Sequence, residues 1–246
     1  VQTCALPISG LAGRGVLDAE AVVEGMEMDR LQHFWPEKLA RNARRWVTEN
    51  IAHGLAREAR LKLSGDIENI RELKVRSVSG SLAYENLTVR YLSPMPPVRQ
   101  VRGTATFTDA RFDLAIAGGS LDGLRIGPSV VALSGLDNDR DRAEIEVVVS
   151  GPVRDALKLI DSKPLGYTSK IGIRMDGVAG DAAIRLRFAF PLISDLKLEQ
   201  VALSAAANLR GVAVPKVVRG WDVSEAKGDR KSTRLNSSHV SESRMP

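Results

Sequence analysis

The sequence predicts an α+β fold that is mostly β: a curved antiparallel sheet of many short strands with two helical insertions. Apolar and polar residues alternate with a period of two through many short segments, which is typical of strands with one buried face. Two stretches instead place apolar residues at helical spacing after a proline. Aromatic residues make up only 4% of the chain, so we expect the apolar face to be mainly aliphatic.

The first helix is predicted over residues 36–53. Pro36 suits the first helical turn, where its missing N–H costs nothing, and Gly54 suits the left-handed position past the helix end. Trp46 lies at the centre of the apolar stripe, and we expect it to anchor the helix against the sheet. The other side of the helix is basic, and a solvated face is favoured there over contact with anionic lipid headgroups. Its basic residues are Lys38, Arg41, Arg44 and Arg45.

The predicted strands begin after Gly54, where the period changes to two. An apolar-Ser-Gly triplet recurs at four places, and we expect it to end strands because Ser and Gly tolerate turn geometry. The triplets are residues 63–65, 78–80, 133–135 and 149–151.

The second helix is predicted over residues 152–161, with Leu157 and Ile160 on its apolar side. Strands resume after it with the alternation at residues 182–190. Two further strands are predicted at residues 196–209 and 212–218.

The two ends of the chain are related at the DNA level. Residues 1–8 and 229–239 can be encoded by DNA strings that are reverse complements of each other over their shared length, and both strings resemble a common sequencing-library adapter. Residues 243–246 fit the continuation of that adapter. We therefore interpret 1–8 and 229–246 as translated adapter. We expect 229–246 to lie outside the packed body, because it has too few large apolar groups to offset its ordering entropy.

Excluding these two segments changes the composition. They hold four Lys or Arg residues and two Asp or Glu residues, so the net charge falls from +5 to +3. A charge this small removes most of the support for nucleic-acid binding. They also hold Cys4, the only cysteine of the chain, which leaves no thiol nucleophile, disulfide or cysteine metal site. The longest apolar runs fall well short of the roughly 20 residues that span a bilayer.

One acidic run has partial metal-site spacing. Asp137, Asp139 and Asp141 are spaced like the first ligands of a calcium loop. Such a loop then needs Gly and Glu where this chain has Arg142 and Val148. A polar hairpin turn is therefore the better interpretation.

Other candidate sites are equally incomplete. His33 and His53 flank the first helix with no third metal ligand in view. Gly118, Gly119 and Gly123 match neither a dinucleotide-binding nor a P-loop pattern. We therefore predict no catalytic, cofactor-binding or metal-binding residues, and an enzyme is disfavoured.

A spaced series of segments carries a family resemblance. It comprises the run FWP at 34–36 with ARRWVTENIAHG at 43–54, the run YLSPMPPV at 91–98 with VRG and ATF after it, and DAL, LID and PLG between 155 and 166. The series resembles the AsmA-like periplasmic proteins of Gram-negative bacteria, of the YhdP type. The resemblance covers most of residues 34–228.

This resemblance implies a large periplasmic protein, anchored in the inner membrane by a segment missing from this sequence. The implied fold is a long hydrophobic β-groove, of which this chain would be a segment. The implied role is phospholipid transport to the outer membrane and envelope maintenance, with phospholipid acyl chains and the inner and outer membrane surfaces as partners. The alternative is a structural or assembly scaffold for envelope proteins that conducts no lipid.

The expected organisation has five parts. Residues 1–8 are adapter, 9–33 end a preceding region, and 34–150 form the first helix with antiparallel strands. Residues 151–228 form the second helix with further strands, and 229–246 are adapter.

The lipid hypothesis selects particular residues. An acyl chain needs an aliphatic lining without a polar cluster, so the apolar members of the alternation should face it. A face open along its length favours the conduit, whereas a face fully covered by both helices favours a compact scaffold. The predicted acyl-facing residues are Leu61, Val89, Ala105, Leu114 and Val147.

Overall fold

The computed structural model describes most of the chain between residues 8 and 230. The described ranges are 8–9, 15–35, 41–69, 72–138, 140–166, 168–169, 175–193, 196–218, 221–226 and 229–230. The strands are β1 (Ile8–Ser9), β2 (Gly15–Glu27), β3 (Ile51–Ala52), β4 (Leu55–Asn69), β5 (Glu72–Val89), β6 (Val98–Thr108), β7 (Arg111–Leu121), β8 (Leu124–Ile126), β9 (Ser129–Ser134), β10 (Arg142–Pro152), β11 (Ala179–Pro191), β12 (Ala202–Val218), β13 (Trp221–Ala226) and β14 (Asp229–Arg230). The helices are α1 (Leu31–Phe34), α2 (Arg41–Asn50) and α3 (Val153–Asp161), with 3-10 turns at Met28–Arg30 and Leu198–Gln200.

The described strands form one 14-stranded antiparallel sheet whose neighbours follow chain order. The short strand β3 continues the line of β4, because both pair with β5. Likewise β8 and β9 share one line between β7 and β10. The predicted class, α+β and mostly β with an antiparallel sheet, is confirmed.

The two ends of the sheet differ. Successive strands run in opposite directions, so alternate connections meet at the same end. One end, called the helical end below, carries α1 and α2 between β2 and β3, α3 between β10 and β11, and the loop at 90–97. The other, called the hairpin end, carries the turns that follow β6 and β9 and the ends of β4 and β11.

The first helix ends earlier than predicted. The described part of it, α2, is Arg41–Asn50, and the chain then enters β3. Pro36 lies outside the described residues. Gly54 has the predicted left-handed backbone, with φ of +74°, and a side chain there would collide with the backbone of Glu85 and Asn86.

The expectation that Trp46 anchors the helix against the sheet is wrong. Trp46 is 47% exposed, because α2 packs against β3 and α1 at the helical end instead of lying over the sheet face. Arg44 is also more than a solvated charge. Its guanidinium donates hydrogen bonds to the carbonyl oxygens of Trp35 at 2.9 Å and Gln32 at 3.0 Å, which joins α2 to the chain around α1.

The second helix is placed as predicted, since α3 follows directly on Pro152 and ends at Asp161. Leu157 packs against the sheet, but Ile160 is 39% exposed. The apolar side of α3 instead includes Val153, Ala156 and Leu159.

Several strands are longer than the short strands predicted. β4 has 15 residues, β5 has 18 and β12 has 17. The triplets at 63–65 and 78–80 lie inside strands, whereas the one at 133–135 ends β9 as predicted. The strand expected to start at residue 196 begins at Ala202, and it continues through the second one predicted at 212–218.

The chain ends are only partly described. Ile8 and Ser9 pair with β2, and Asp229 and Arg230 pair with β12, so these first two residues of 229–246 are not outside the sheet as predicted. Residues 231–246 lie outside the described part. The boundary proposed between 150 and 151 falls within β10, and the sheet continues across it.

Candidate functional site

One face of the sheet carries an uninterrupted line of apolar side chains. In an antiparallel sheet, directly opposed residues point to the same face, so the strand registers define the line. This central row crosses the nine strand lines from β2 to β12 and contains no polar side chain. Its members, in order across the sheet, are Val23, Ala59, Leu82, Ala105, Leu114, Val131, Ile145, Phe188 and Leu203.

A second apolar line, the outer row, lies next to the central row on the side of the hairpin end. Four of the five phenylalanines of the chain lie in these two rows. Phe107 and Phe112 stack with ring centroids 5.7 Å apart. The members of the outer row are Ala21, Leu61, Gly80, Phe107, Phe112, Leu133, Ala143 and Phe190.

The opposite face is mainly polar at the same level, although Ala83, Ala115 and Val130 also lie on it. Its charges form ion pairs across and along strands: Glu146 meets Arg187 at 2.7 Å and Arg185 at 3.3 Å. The alternation read from the sequence thus separates the two faces as predicted. The residues of this face that are adjacent in the chain to those of the central row are Glu24, Glu58, Ala83, Thr104, Ala115, Val130, Glu146, Arg187 and Ser204.

The helical end of the apolar face is covered. Leu121, Leu124 and Val149 are 5%, 3% and 7% exposed, and Ala156 and Leu159 of α3 pack against their cluster. A second cluster under α3 contains Val153, Val178, Ala182 and Val212, with Leu157 packed against it.

The central and outer rows are much less covered. Among their members only Ala105 and Ala143 are buried, and both are small. The larger side chains of the rows are half-buried, and Leu61 is 38% exposed. Hydrocarbon area therefore remains available for binding on this part of the face.

Glycines make room for two aromatic rings on this face. A Cβ at Gly80 would lie 2.5 Å from Cζ of Phe107, and a Cβ at Gly103 would lie 2.7 Å from the phenolic oxygen of Tyr84. This explains why the triplet at 78–80 does not end a strand: Gly80 is needed within β5 as a space for the ring opposite it.

Tyr84 is the polar side chain at the centre of the buried cluster near the helical end. It is 4% exposed and packs with Leu87, Val101 and Ala105. Its hydroxyl donates a hydrogen bond to the carbonyl oxygen of Ala115 at 3.4 Å. Burial raises the pKa of Tyr84 to about 12, so the phenol stays neutral and adds no charge to the face.

The five residues predicted to face lipid all lie on the apolar side, at different depths. Ala105 and Leu114 are direct neighbours in the central row, and Leu61 lies in the outer row opposite Gly80. Val147 is half-buried and lies opposite Leu186. Val89 lies at the helical end, packed against the cluster of Tyr84. Contact of any of them with lipid stays a prediction.

Sequence reasoning missed the phenylalanines as candidate site residues. Phe107, Phe112 and Phe188 occupy apolar positions of the same alternation that selected Leu114. The alternation therefore identified these positions as apolar, but the low aromatic content favoured aliphatic residues as candidates. Phe190 extends the same period.

Two hollows are found among the described residues. The larger, of about 720 Å³, lies beside the turn Leu198–Gln200, and its lining includes Val130 and Arg187 of the polar face and Ile145, Phe188 and Leu203 of the central row. A smaller hollow of about 120 Å³ lies between Met28, Gln32, Thr48 and Arg90 at the helical end.

The described ranges hold no group of three or more His, Cys, Asp or Glu residues arranged to bind a metal ion. The helices found there are too short or too polar to cross a membrane. The acidic run at 137–141 forms the connection between β9 and β10, which is the predicted hairpin turn, although Asp139 itself is not described.

Comparison with known families gives one match. The family model described as YhdP protein matches residues 4–202. Neither a curated protein nor a solved structure matches the chain. The match includes most of the segment 1–8 and ends before 229, and the adapter interpretation of both ends stays a prediction.

Proposed function

Because the chain belongs to the YhdP protein family, whose members are envelope-associated AsmA-like proteins, we propose that its sheet binds phospholipid acyl chains on the apolar face. In this proposal the protein moves phospholipid between the inner and outer membranes and thereby maintains the envelope. It acts in the periplasm and is anchored in the inner membrane. It is a conduit and not an enzyme.

The central row is the observation that carries the proposal. Nine opposed side chains from successive strand lines are Val, Ala, Leu, Ile or Phe, with no polar group among them. A lipid tail gains free energy from apolar contact and loses it beside unpaired polar groups. A continuous apolar path is therefore what movement along the sheet requires.

The dimensions of the row fit an acyl chain. Strands in a sheet lie about 4.8 Å apart, so eight intervals extend over roughly 38 Å. This distance exceeds the hydrocarbon core of a bilayer, about 30 Å, which holds two opposed layers of tails. A single tail can therefore lie on the face with room to move along it.

The incomplete cover of the face supports a conduit over a scaffold. A compact scaffold would bury its apolar face as core, yet the rows remain half-buried and α2 does not lie over them. Among the described helices, α3 is the one that packs on the apolar clusters, and it covers them at the helical end.

The test is a pair of neighbouring substitutions in β7. Leu114 belongs to the central row, whereas Ala115 is exposed on the polar face opposite Thr104 and Val130. Leu114→Asp places a carboxylate in the lipid path and should abolish complementation of an outer-membrane barrier defect. Ala115→Asp places the same charge at a solvent-exposed position, and this variant should complement the defect as well as the wild type does.

Each variant is expressed in cells that lack the native copy, and permeability of the outer membrane to a large antibiotic is measured. Immunoblots must show equal amounts of both variants in the envelope. If Leu114→Asp is present at the wild-type level and restores the barrier, the conduit proposal is wrong. If Leu114→Asp is degraded, Leu114→Asn and Leu114→Ser replace it. These variants place an uncharged polar group at the same position, and they are compared with Ala115→Asp once immunoblots show wild-type amounts.

A further inference from the structure

We infer that a phospholipid on this face lies with its tails along the central and outer rows and its headgroup at the hairpin end of the sheet. The inference rests on the proposed function and adds to it the orientation of the substrate. It follows from the different cover of the two ends.

The helical end has little apolar surface left to offer. Leu121, Leu124 and Val149 are already buried among themselves and beneath α3. Tyr84 and Leu87 are similarly buried near β3, where Ile51 and Met28 pack against them. A tail placed there would have to displace side chains that already contact each other.

The rows nearer the hairpin end keep surface that water still reaches. The outer row contains the stacked Phe107 and Phe112 and the 38% exposed Leu61. Binding a tail here removes from water the part of these side chains that their contacts with the Tyr84 cluster leave exposed. The tails should therefore occupy the rows and end before the α3 clusters.

The headgroup then follows from the position of the tails. The turn after β6 begins next to Phe107, and it exposes Thr108 and Asp109. The turn after β9 exposes Asn138 and Arg140. Hydrated groups of both signs at this end allow a phosphate-bearing headgroup to keep its water and to meet a cation.

The helical end also exposes charged groups, such as Arg90 and Asp122. To place a headgroup there, however, the tails would have to reach across the buried clusters that lie between the rows and that end. This arrangement would disturb side chains that already pack against each other. The hairpin end is therefore the exit for the polar part of the lipid.

Two photoreactive lipids test this orientation in the purified intact protein. Both are phosphatidylethanolamines, one with a diazirine at the end of an acyl chain and one with a diazirine on the headgroup. Each is mixed into vesicles of phosphatidylethanolamine and phosphatidylglycerol, irradiated with the protein, and mapped by peptide mass spectrometry. Leu114→Asp and Ala115→Asp serve as the blocked and unblocked variants.

The tail probe should label the rows in β6 and β7 in the wild type and in Ala115→Asp, and lose that labelling in Leu114→Asp. The headgroup probe should label the turns at 108–111 and 135–142 roughly tenfold more than the helical-end loops at 90–97 and 162–166, a preference of about 1.4 kcal/mol. Equal or greater headgroup labelling of the helical-end loops overturns the inference while leaving the conduit intact. If the tail probe does not label the rows of the folded protein, the conduit proposal itself is wrong. It is also wrong if the rows cross-link to a protein segment in place of lipid.

Discussion

The helical and hairpin halves of the apolar face arise from the same alternation of residues but differ in cover. In the helical half, Leu124 and Val149 are 3% and 7% exposed beneath α3. In the hairpin half, Leu61 is 38% exposed, and most of its neighbours in the rows are half-buried. Period-two alternation thus creates an apolar face, and the connections between strands decide which part becomes core and which part stays open for binding.

The largest effect expected from this comparison is at Leu124. Leu124→Ala should destabilise the protein by about 2–5 kcal/mol, because it leaves a cavity in the cluster that joins β7, β8 and β10 to α3. The loss is measured as the free energy of unfolding from urea denaturation. It should be accompanied by faster amide hydrogen exchange in α3.

Leu61→Ala is the matched change in the hairpin half. It removes the same atoms from a side chain that water already reaches, so the cost should be under about 1 kcal/mol. Equal losses at Leu61 and Leu124 would show that the two halves are packed alike and would remove the basis for the comparison.

Tyr84 tests whether water reaches the boundary between the two halves. Tyr84→Phe removes one hydrogen bond to Ala115 and should cost about 1 kcal/mol near neutral pH. The effect of pH is more specific. Between the ordinary phenol pKa of 10 and the raised value of about 12, the unfolded phenol loses its proton while the folded one keeps it.

The unfolded state therefore binds fewer protons in this range, and wild-type stability falls as the pH rises from 10 towards 12. Below pH 10 the contribution is fully present. The Phe variant lacks this loss, so its stability should fall less steeply over the same interval. Parallel urea-denaturation curves for the two proteins from pH 9 to pH 12 would show that water reaches Tyr84.

The smallest effect is expected at Trp46. Since the side chain is 47% exposed, Trp46→Ala should cost about 1 kcal/mol or less. A small loss of stability would distinguish α2, which lies at the end of the sheet, from α3, which covers part of its apolar face. A loss as large as that of Leu124→Ala would mean that α2 is part of the core after all.

The sequence was sufficient to predict the faces of the sheet. The alternation in residues 55–63, 101–107 and 182–190 placed apolar and polar side chains correctly, since a strand has only two faces. Pro152 likewise marked the start of α3. Both signals come from residues that are adjacent in sequence, and local backbone geometry determines which face a strand residue takes and where a helix begins.

The lengths of the strands depend on contacts between distant residues, which the pattern does not contain. Gly80 looks like a strand end in isolation, but it lies inside β5 because Phe107 of the next strand occupies the space above it. Trp46 is a similar case. The spacing of its apolar neighbours predicted a helix, but that spacing does not determine which surface the helix meets: α2 contacts β3 and α1 at the helical end.

The chain-order arrangement of the sheet has a consequence for folding. Almost every strand pairs with strands close to it in sequence, so most pairings close short loops and carry a small entropic cost. Any hairpin can then act as a starting point, and order can spread to its neighbours as it does in repeat proteins. The molecule should therefore tolerate damage locally: a failure of the β10–β11 pair disrupts the strands beside it, while β4 and β5 still fold.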